Sequence, residues 1–537
     1  MKTLLLLLLC LTLFYIPDSG GSGVALPFNL TFLCWLGLVL IILAWRYRNA
    51  ELKAPRQPLL TTGGLLLLLP CLLQARGNPG VWVLLAALLM WQALLRLPFT
   101  PRHRRAALLA VFVLALGQAG SGLLQAFCPH LAARLYEFDW LRNQGRPYGI
   151  FQQVNLLASF LATGAGCGFL LLLTERRARG ITAVLITAGL GVLAFVLALN
   201  QSRAGAVGAV AVIAALCAVA GRGKAPRAGA ALAVMALSAW AGWYITQHVT
   251  VLVNGEPFLM ARDYAGSTQE RRHILHITWQ MIMLHPCAGW GYGTFEYAFS
   301  RWLLAHPGYT FRVPVTHPHN ELLYAWFQGG ITALAGMLVL FAGWVRMLIR
   351  ALKTRRATLA YALLIVPLLA HLNLEYPFYQ SFIHFGLFLL LLRLGVAQAP
   401  QAARQAALAP RLAAVLCGAA LIVFSGAGLY ANHQLTALER SQLAGFPLPA
   451  PWYFATQSER AQFDEMVALL MDYNRTRNAA NLDEFMARAQ AWSLRHNDAN
   501  VWRSMMMIEQ FRGNQARAAE MAQTYKKLFP LQKLKDK

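Results

Sequence analysis

Long apolar runs recur along the whole chain and are separated by short polar segments. A helix of about 20 apolar residues spans the hydrocarbon core of a bilayer, and about thirteen runs approach that length. They lie at residues 3–16, 27–45, 58–74, 80–95, 106–127, 150–174, 181–199, 204–220, 228–249, 321–345, 357–371, 377–392 and 412–430. The pattern predicts an all-α polytopic membrane protein. The first run is short, and either an uncleaved anchor or a signal peptide fits it.

Basic residues fall in every second segment between these runs, which predicts the orientation of the spans. The basic clusters lie at 46–56, 96–105, 176–179, 222–227, 346–356 and 393–411. Cytoplasmic loops are enriched in Lys and Arg, so the alternate segments are expected to face outward. Two outward segments are long: a loop at 250–320, with an amphipathic stretch at 272–284, and a tail at 432–537. We therefore expect a transmembrane domain over 1–431 that includes this loop, followed by the tail.

The tail differs in composition from the rest of the chain and its pattern is helical. Two helical runs flank Gly513-Asn514 between Trp502 and Pro530, as in a tetratricopeptide-type helix pair. Such a pair can bind a partner or can form a small helical cap on the membrane domain. Both interpretations stay open.

Charge and hydropathy exclude the most obvious alternative class. The chain has 47 Lys+Arg against 22 Asp+Glu, a formal charge of +25 that on its own suggests a nucleic-acid partner. However, 58% of its residues are hydrophobic and only 13% are charged, and the mean hydropathy is +0.47. Because membrane proteins place basic residues in cytoplasmic loops, we expect membrane lipids and no nucleic acid as partners.

Polar and ionisable residues cluster at the outward ends of the predicted spans. Such residues are costly near hydrocarbon and suggest a functional site by default. The candidates are Arg146, Gln153, Asn155, Gln201, Arg203, Arg271, Arg272, His317, His319, Asn320 and Glu375.

Several arginines without a convergent pair of carboxylates favour a phosphate or diphosphate ligand, because a guanidinium matches phosphoryl oxygens. A nearby histidine could take a proton from a hydroxyl. No metal or other cofactor is expected, since H-x-H-N lacks the carboxylates or filled ligand shell of a magnesium or zinc site.

Each candidate also has a structural interpretation. Arg203 could extend toward lipid head groups, and Arg271 and Arg272 could be ordinary surface charges. His317 to Asn320 could cap the next helix, since Asn is a good N-cap residue. The glycines of G-W-G-Y-G at 289–293 are expected to form a turn.

Five segments resemble the O-antigen ligase and polymerase superfamily, and within it the PglL-type bacterial protein O-oligosaccharyltransferases that glycosylate pilins. They are R-P-Y-G-I-F-Q-Q-V-N-L-L-A at 146–158, S-R-A-G at 202–205, H-P-C-A-G-W-G-Y-G-T-F at 285–295, H-P-H-N-E-L-L at 317–323 and L-E-Y-P-F-Y at 374–379. The similarity extends from about residue 140 through the tail. Val154 departs from the branch, which usually has proline there.

The resemblance implies a metal-independent glycosyltransferase of the GT-C type in the bacterial inner membrane, with its active site and C-terminus in the periplasm. It would transfer a preassembled glycan from undecaprenyl diphosphate to Ser or Thr of pilin-like proteins. In the family pattern His319 is the general base, and Arg203 and Arg271 contact the diphosphate, with Arg272 as an alternative. Gln153 and Asn155 match the Q-x-N positions.

Other functions remain open from the sequence. An O-antigen ligase that uses lipid A–core as acceptor, or a polymerase, would use the same residues. A transporter or lipid flippase would place charges near the bilayer midplane and often shows repeated halves, and neither feature is evident. A membrane scaffold would not need the polar residues that cluster at the outward ends of the predicted spans.

Overall fold

The computed structural model describes residues 13–17, 20–46, 55–74, 80–174, 180–260, 267–306, 308–309, 311, 314–354, 356–397, 408–447, 449–530 and 532. The helices are α1 (Pro27–Arg46), α2 (Pro58–Gln74), α3 (Gly80–Arg96), α4 (Pro101–Phe127), α5 (Pro129–Tyr136), α6 (Trp140–Asn143), α7 (Val154–Thr174), α8 (Ile181–Asn200), α9 (Arg203–Val219), α10 (Ala225–His248), α11 (Ser267–Leu284), α12 (Phe295–Ala305), α13 (Glu321–Thr354), α14 (Arg356–Ala362), α15 (Val366–Leu372), α16 (Phe382–Leu394), α17 (Leu408–Arg440), α18 (Ser458–Thr476), α19 (Ala480–Ser493), α20 (Ala499–Phe511) and α21 (Gln515–Leu528). Two strands, β1 (Thr250–Val253) and β2 (Glu256–Leu259), form a hairpin.

The predicted fold class is confirmed. Within the described residues, seven helices are long and apolar enough to cross a membrane, and five shorter apolar helices accompany them. The chain is therefore an all-α polytopic membrane protein. The predicted span at 3–16 falls mostly outside the described residues, and its described part, 13–16, is not helical. The run predicted at 150–174 becomes helical only at Val154, because the residues before it form turns.

The chain divides into two compact units. Unit 1 comprises Met1–Pro58, Leu89–Asp263 and Ala342–Asn432, and unit 2 comprises Leu59–Leu88, Tyr264–Phe341 and His433–Lys537. Both units combine segments that are distant in sequence. The boundary that we predicted between residues 431 and 432 stays a prediction.

Helix α7 is the centre of unit 1. Every residue from Leu156 to Leu173 is buried, which explains an apolar composition on all sides of the helix. Small residues bring its neighbours close: an added Cβ would lie 2.2 Å from the Ala115 side chain at Gly164, and 2.5 Å from the Phe112 ring at Gly168. This close packing between apolar helices is typical of membrane proteins, where small residues let backbones approach each other.

A β-hairpin in unit 1 interrupts the segment that the sequence pattern treated as one loop. Asn254 and Gly255 both have positive φ values, 53° and 88°, as the tight turns of two-residue hairpins require. Val251 and Val253 are buried against Phe138, Trp140 and Met260. The start of the predicted 250–320 loop is thus packed as part of unit 1.

In unit 2, helix α13 is broken at Gly330, whose φ and ψ are 61° and −156°. The break frees backbone groups, and the predicted G-W-G turn pairs with them. The N–H groups of Trp290 and Gly291 donate to the carbonyls of Phe327 (2.7 Å) and Gln328 (3.1 Å), and Ile331 N–H donates to Cys287 O at 3.1 Å. The glycine-rich motif therefore supplies hydrogen-bond partners for the backbone groups that the break leaves unpaired. Such groups need partners in an apolar setting.

The C-terminal helices of unit 2 pack around their own apolar core. Met466, Leu469, Phe485, Val501 and Met505 are among its buried residues. Gly513, with a φ of 78°, separates α20 from α21, so the helix pair expected around Gly513-Asn514 is present. Arg460 forms two hydrogen bonds with Glu439, at 2.7 and 2.8 Å, which tie α18 to the end of α17.

We predict that Gly330→Ala destabilises the protein by at least about 2 kcal/mol, because strained backbone and overpacking each cost about that much. The added Cβ would lie 2.0 Å from Cys287 O, while a Cβ at Gly308 would meet nothing within 4 Å. Thermal unfolding in detergent should show a lower midpoint for Gly330→Ala than for Gly308→Ala. Equal midpoints would contradict the role assigned to the break.

Candidate functional site

The predicted site residues divide between the two units. Arg146, Gln153, Asn155, Gln201, Arg203 and Glu375 belong to unit 1, whereas Arg271, Arg272, His317, His319 and Asn320 belong to unit 2. Within each unit they occupy structured positions next to helix ends. The convergence of both groups on one ligand stays a prediction.

The segment 146–153 in unit 1 is held by two buried glutamines of α4 that the sequence analysis missed. Gln125 Oε1 accepts hydrogen bonds from the N–H groups of Tyr148 (2.9 Å) and Gly149 (2.8 Å). Gln118 Oε1 accepts one from Ile150 N–H at 3.1 Å. The available signal was their spacing of seven residues within an apolar run, which places both on one face of the helix.

Asn200 joins this segment to the short turn between α8 and α9. Its Nδ2 donates to Pro147 O at 2.8 Å and to Val154 O at 2.9 Å. Arg146 Nε in turn donates to Asn200 O at 3.1 Å, and Gln201 Nε2 donates to Met260 O. Arg146 and Gln201 therefore hold loops in place, in addition to any role toward a ligand.

Arg203 stands at the start of α9, next to a capped helix end. Ser202 Oγ accepts from Gly205 N–H at 3.2 Å and donates to Asn155 Oδ1 at 2.6 Å. Ser202 is buried while Arg203 is exposed. The helix dipole disfavours a cation at this end, so helix stability does not explain the position of Arg203. An anion would be attracted both by its guanidinium and by the helix end.

Gln153 and Glu375 occupy the ends of α7 and α15. Gln153 Oε1 accepts from Leu156 N–H at 2.6 Å and so caps α7. Glu375 is buried and its N–H donates to His371 O at 2.8 Å. His371 Nδ1 lies 2.7 Å from Ser159 Oγ, which links the segment before Glu375 to the buried face of α7.

In unit 2, the two histidines of H-P-H-N have different environments. His319 N–H donates to His317 Nδ1 at 2.9 Å, and His319 has a positive φ of 57°. His317 is buried, whereas His319 is partly exposed. A non-glycine residue held in this conformation is uncommon and often marks a functional position.

The burial of His317 keeps its imidazole neutral. Burial lowers its pKa from the ordinary value to about 3. His317 Nε2 lies 3.6 Å from Glu321 Oε2, and with so low a pKa this is a contact of a neutral imidazole rather than an ion pair. A ring whose Nδ1 already accepts a backbone hydrogen bond is also poorly placed to act as a base through that atom.

Asn320 and α11 complete the described geometry of this loop. Asn320 Oδ1 accepts from Leu323 N–H at 3.0 Å, so the predicted N-cap of the next helix is present. Ile274, Ile277 and Met281 of α11 are buried in one core with Phe311 and Val315, which precede His317. The same core thus supports both the histidine loop and the helix that carries partly exposed Arg271 and exposed Arg272.

We expect the buried neutral His317 to make stability depend on pH. Below its ordinary pKa of about 6.5 the unfolded chain takes up a proton that folded His317 does not, so lowering the pH from 7.5 to 5 should cost about 2 kcal/mol of stability. His317→Asn keeps an acceptor for His319 N–H but has no proton to gain. The pH-dependent loss of unfolding free energy in detergent should be smaller by that amount in the variant, and an identical loss in both proteins would refute the assignment.

Three family models match parts of the chain. A family model described as O-antigen ligase matches residues 188–338. One described as virulence factor membrane-bound polymerase, C-terminal, matches 358–536, and one described as protein glycosylation ligase matches 147–165.

An O-antigen ligase of Salmonella typhimurium is 34% identical over 70 residues, which cover 13% of this chain and 17% of that relative. The O-antigen ligase match includes Arg203 and His319, and the protein glycosylation ligase match includes Gln153 and Asn155. Across these segments the chain is similar to the O-antigen ligase and polymerase superfamily, with features of its protein glycosylation ligases.

Proposed function

We propose that the protein transfers a preassembled oligosaccharide from undecaprenyl diphosphate to Ser or Thr hydroxyls of periplasmic or pilin-like proteins. It would act in the bacterial inner membrane as a GT-C-type enzyme, with its active site and C-terminus on the periplasmic side and without a metal. The observation that carries the proposal is the histidine turn. His317 holds the backbone of His319 at 2.9 Å and leaves the partly exposed second imidazole as the candidate base.

In the proposed reaction the acceptor hydroxyl oxygen attacks the anomeric carbon of the lipid-linked glycan. Its proton passes to the His319 imidazole, a new glycosidic bond forms, and the bond from the anomeric carbon to the diphosphate oxygen breaks. The bonding electrons leave with undecaprenyl diphosphate. Arg203 and Arg271, or Arg272 in place of Arg271, would stabilise the negative charge on that leaving group.

The remaining unit 1 candidates support this role by fixing loops. The hydrogen bond between Ser202 and Asn155 sets the first turn of α9, where Arg203 begins the helix. The bonds of Arg146 and Gln201 tie the neighbouring loops to backbone carbonyls. Glu375 is buried beside the His371 turn, and we assign it a supporting role in the same site.

A second function is favoured by one specific observation. The relative in Salmonella typhimurium is described as an O-antigen ligase, so lipid A–core is the alternative acceptor. Intact mass analysis in a cell that carries a single defined lipid-linked glycan distinguishes the two. Glycan on an exported pilin-like protein supports the first function, and glycan on lipid A–core supports the second.

His319→Ala should abolish glycan transfer while the protein still inserts into the membrane. General-base assistance contributes roughly 10²–10⁴ in rate, so a loss of at least about 100-fold is expected. His306→Ala is the matched control, because His306 is an exposed histidine of the same loop stacked on Trp302. Normal acceptor glycosylation in His319→Ala would remove the general-base assignment.

Arg203→Ala should also lose transfer, and Arg203→Lys should recover only part of it, because an ammonium lacks the bidentate fork of a guanidinium. Arg142→Ala, which changes another exposed arginine of unit 1, should retain activity. In-cell glycosylation of a tagged acceptor, at matched protein levels, measures all three variants. Full activity of Arg203→Ala would exclude this residue from diphosphate binding.

A further inference from the structure

A groove lies within unit 2, between α12 of the long loop and the C-terminal helices α19, α20 and α21. Its volume is about 260 Å³, and its lining residues come from all four helices. Pockets for small ligands typically measure about 300–1,000 Å³. The groove is therefore too small for a folded domain and suits a few side chains of an extended segment.

Specific polar contacts build this groove. Asn497, in the turn between α19 and α20, donates from its backbone N–H to Glu296 Oε1 at 2.5 Å and from Nδ2 to Ser300 Oγ at 3.1 Å. Glu296 and Ser300 both lie on α12. These hydrogen bonds attach α12 to the turn between α19 and α20, so they fix the distance between the walls of the groove.

The polar side chains of the groove include two that are positively charged. Arg301 and Arg517 line it, and so do Ser493 and Trp502. Among the described residues, Ser493 Oγ and Trp502 Nε1 are buried without a hydrogen-bond partner. Buried polar atoms normally have partners, so the hydrogen bonds of this wall are not all satisfied within the described residues.

The positive charge of the groove favours a negatively charged ligand. No carboxylate occurs among its described lining residues, whereas two guanidinium groups do. Arg517 Nε lies 3.4 Å from Glu509 Oε1, on a glutamate that is only 3% exposed, and Arg301 lies over the Tyr297 ring at 6.0 Å. An acidic ligand matches this charge.

The apolar part of the lining suits a side chain of a peptide. Met505, Met521 and Leu494 contribute to it, and methionine side chains adapt to ligands of varied shape. An acidic side chain of such a peptide would meet the guanidinium groups of Arg301 and Arg517.

We propose that this groove binds a short acidic segment of the acceptor protein and so brings the acceptor to the enzyme. The identity of the partner as an acceptor rests on the proposed function. The binding itself does not depend on glycan transfer, so the two can fail separately.

The test uses the full-length protein in detergent and two fluorescein-labelled ten-residue peptides. One contains two leucines and two aspartates, and the other has lysines in place of the aspartates. Fluorescence anisotropy should show binding of the acidic peptide only. Arg301→Glu and Arg517→Glu should each weaken it at least about tenfold, since truncating or reversing one close charge contact costs 1.4 kcal/mol or more.

Two control variants are needed. One tests whether any reversal of charge on the tail weakens peptide binding, and the other tests whether peptide binding depends on catalysis. Arg495→Glu makes the same charge change at an exposed arginine of the tail outside the groove lining, and it should bind the peptide as the unmodified protein does. His319→Ala should also bind it normally while failing in glycan transfer. Arg301 is exposed, so its reversal tests binding even if Arg517→Glu disturbs the contact with Glu509 and unfolds the tail.

Several results would overturn the proposal. These are binding of both peptides with equal affinity, binding of neither, or unchanged binding in Arg301→Glu. Preferential binding of chitotriose would assign the groove to glycan instead, and a dimer that Arg301→Glu dissociates would assign it to a second copy of the chain. If His319→Ala transfers glycan normally while peptide binding behaves as expected, the catalytic assignment fails and the groove assignment stands.

Discussion

Buried backbone N–H and C=O groups that have no partner within a helix must form hydrogen bonds elsewhere. This constraint determines how the non-helical segments of both units are held. In unit 1, Gln125 and Asn200 supply those partners for the segment before α7. In unit 2, His317 does so for His319, and the segment at 287–291 does so for the break in α13. Unsatisfied groups of this kind cost about 1–3 kcal/mol each. Hydrogen bonds to their surroundings therefore hold the described segments 146–153 and 317–319.

The same constraint explains what could be predicted from the sequence. Helices such as α1, α7 and α8 follow directly from runs of apolar residues, because only a helix satisfies its backbone within one such segment. The hairpin at 250–259 was missed although Asn254-Gly255 is a strong turn signal, because its strands are only four residues long. The first helical turn of α7 was also misplaced, since the apolar residues Ile150 and Phe151 belong to a buried turn rather than to the helix.

For the candidate site, the sequence could predict which residues belong to it, but it could not predict the separate role of each residue. The H-x-H-N pattern does not indicate which histidine is buried. Only the structure gives the bond from His319 N–H to His317 Nδ1 and the exposure of each ring. For Gln118 and Gln125 the sequence showed only that both lie on one face of an apolar helix, because glutamine is an ordinary helix residue. Their role depends on a loop that lies more than 20 residues later in the chain.

The positions of His319 and Arg203 share one physical feature: each is unfavourable for local structure. His319 has a left-handed backbone that most residues avoid, and Arg203 places a cation in the first turn of a helix. In both cases a neighbouring residue compensates, through the His317 ring or through the capping hydroxyl of Ser202. Local stability would favour glycine or asparagine at the first position and an acidic residue at the second. Both departures from local preference agree with the proposed ligands, since a hydroxyl acceptor needs an imidazole base and a diphosphate needs a guanidinium.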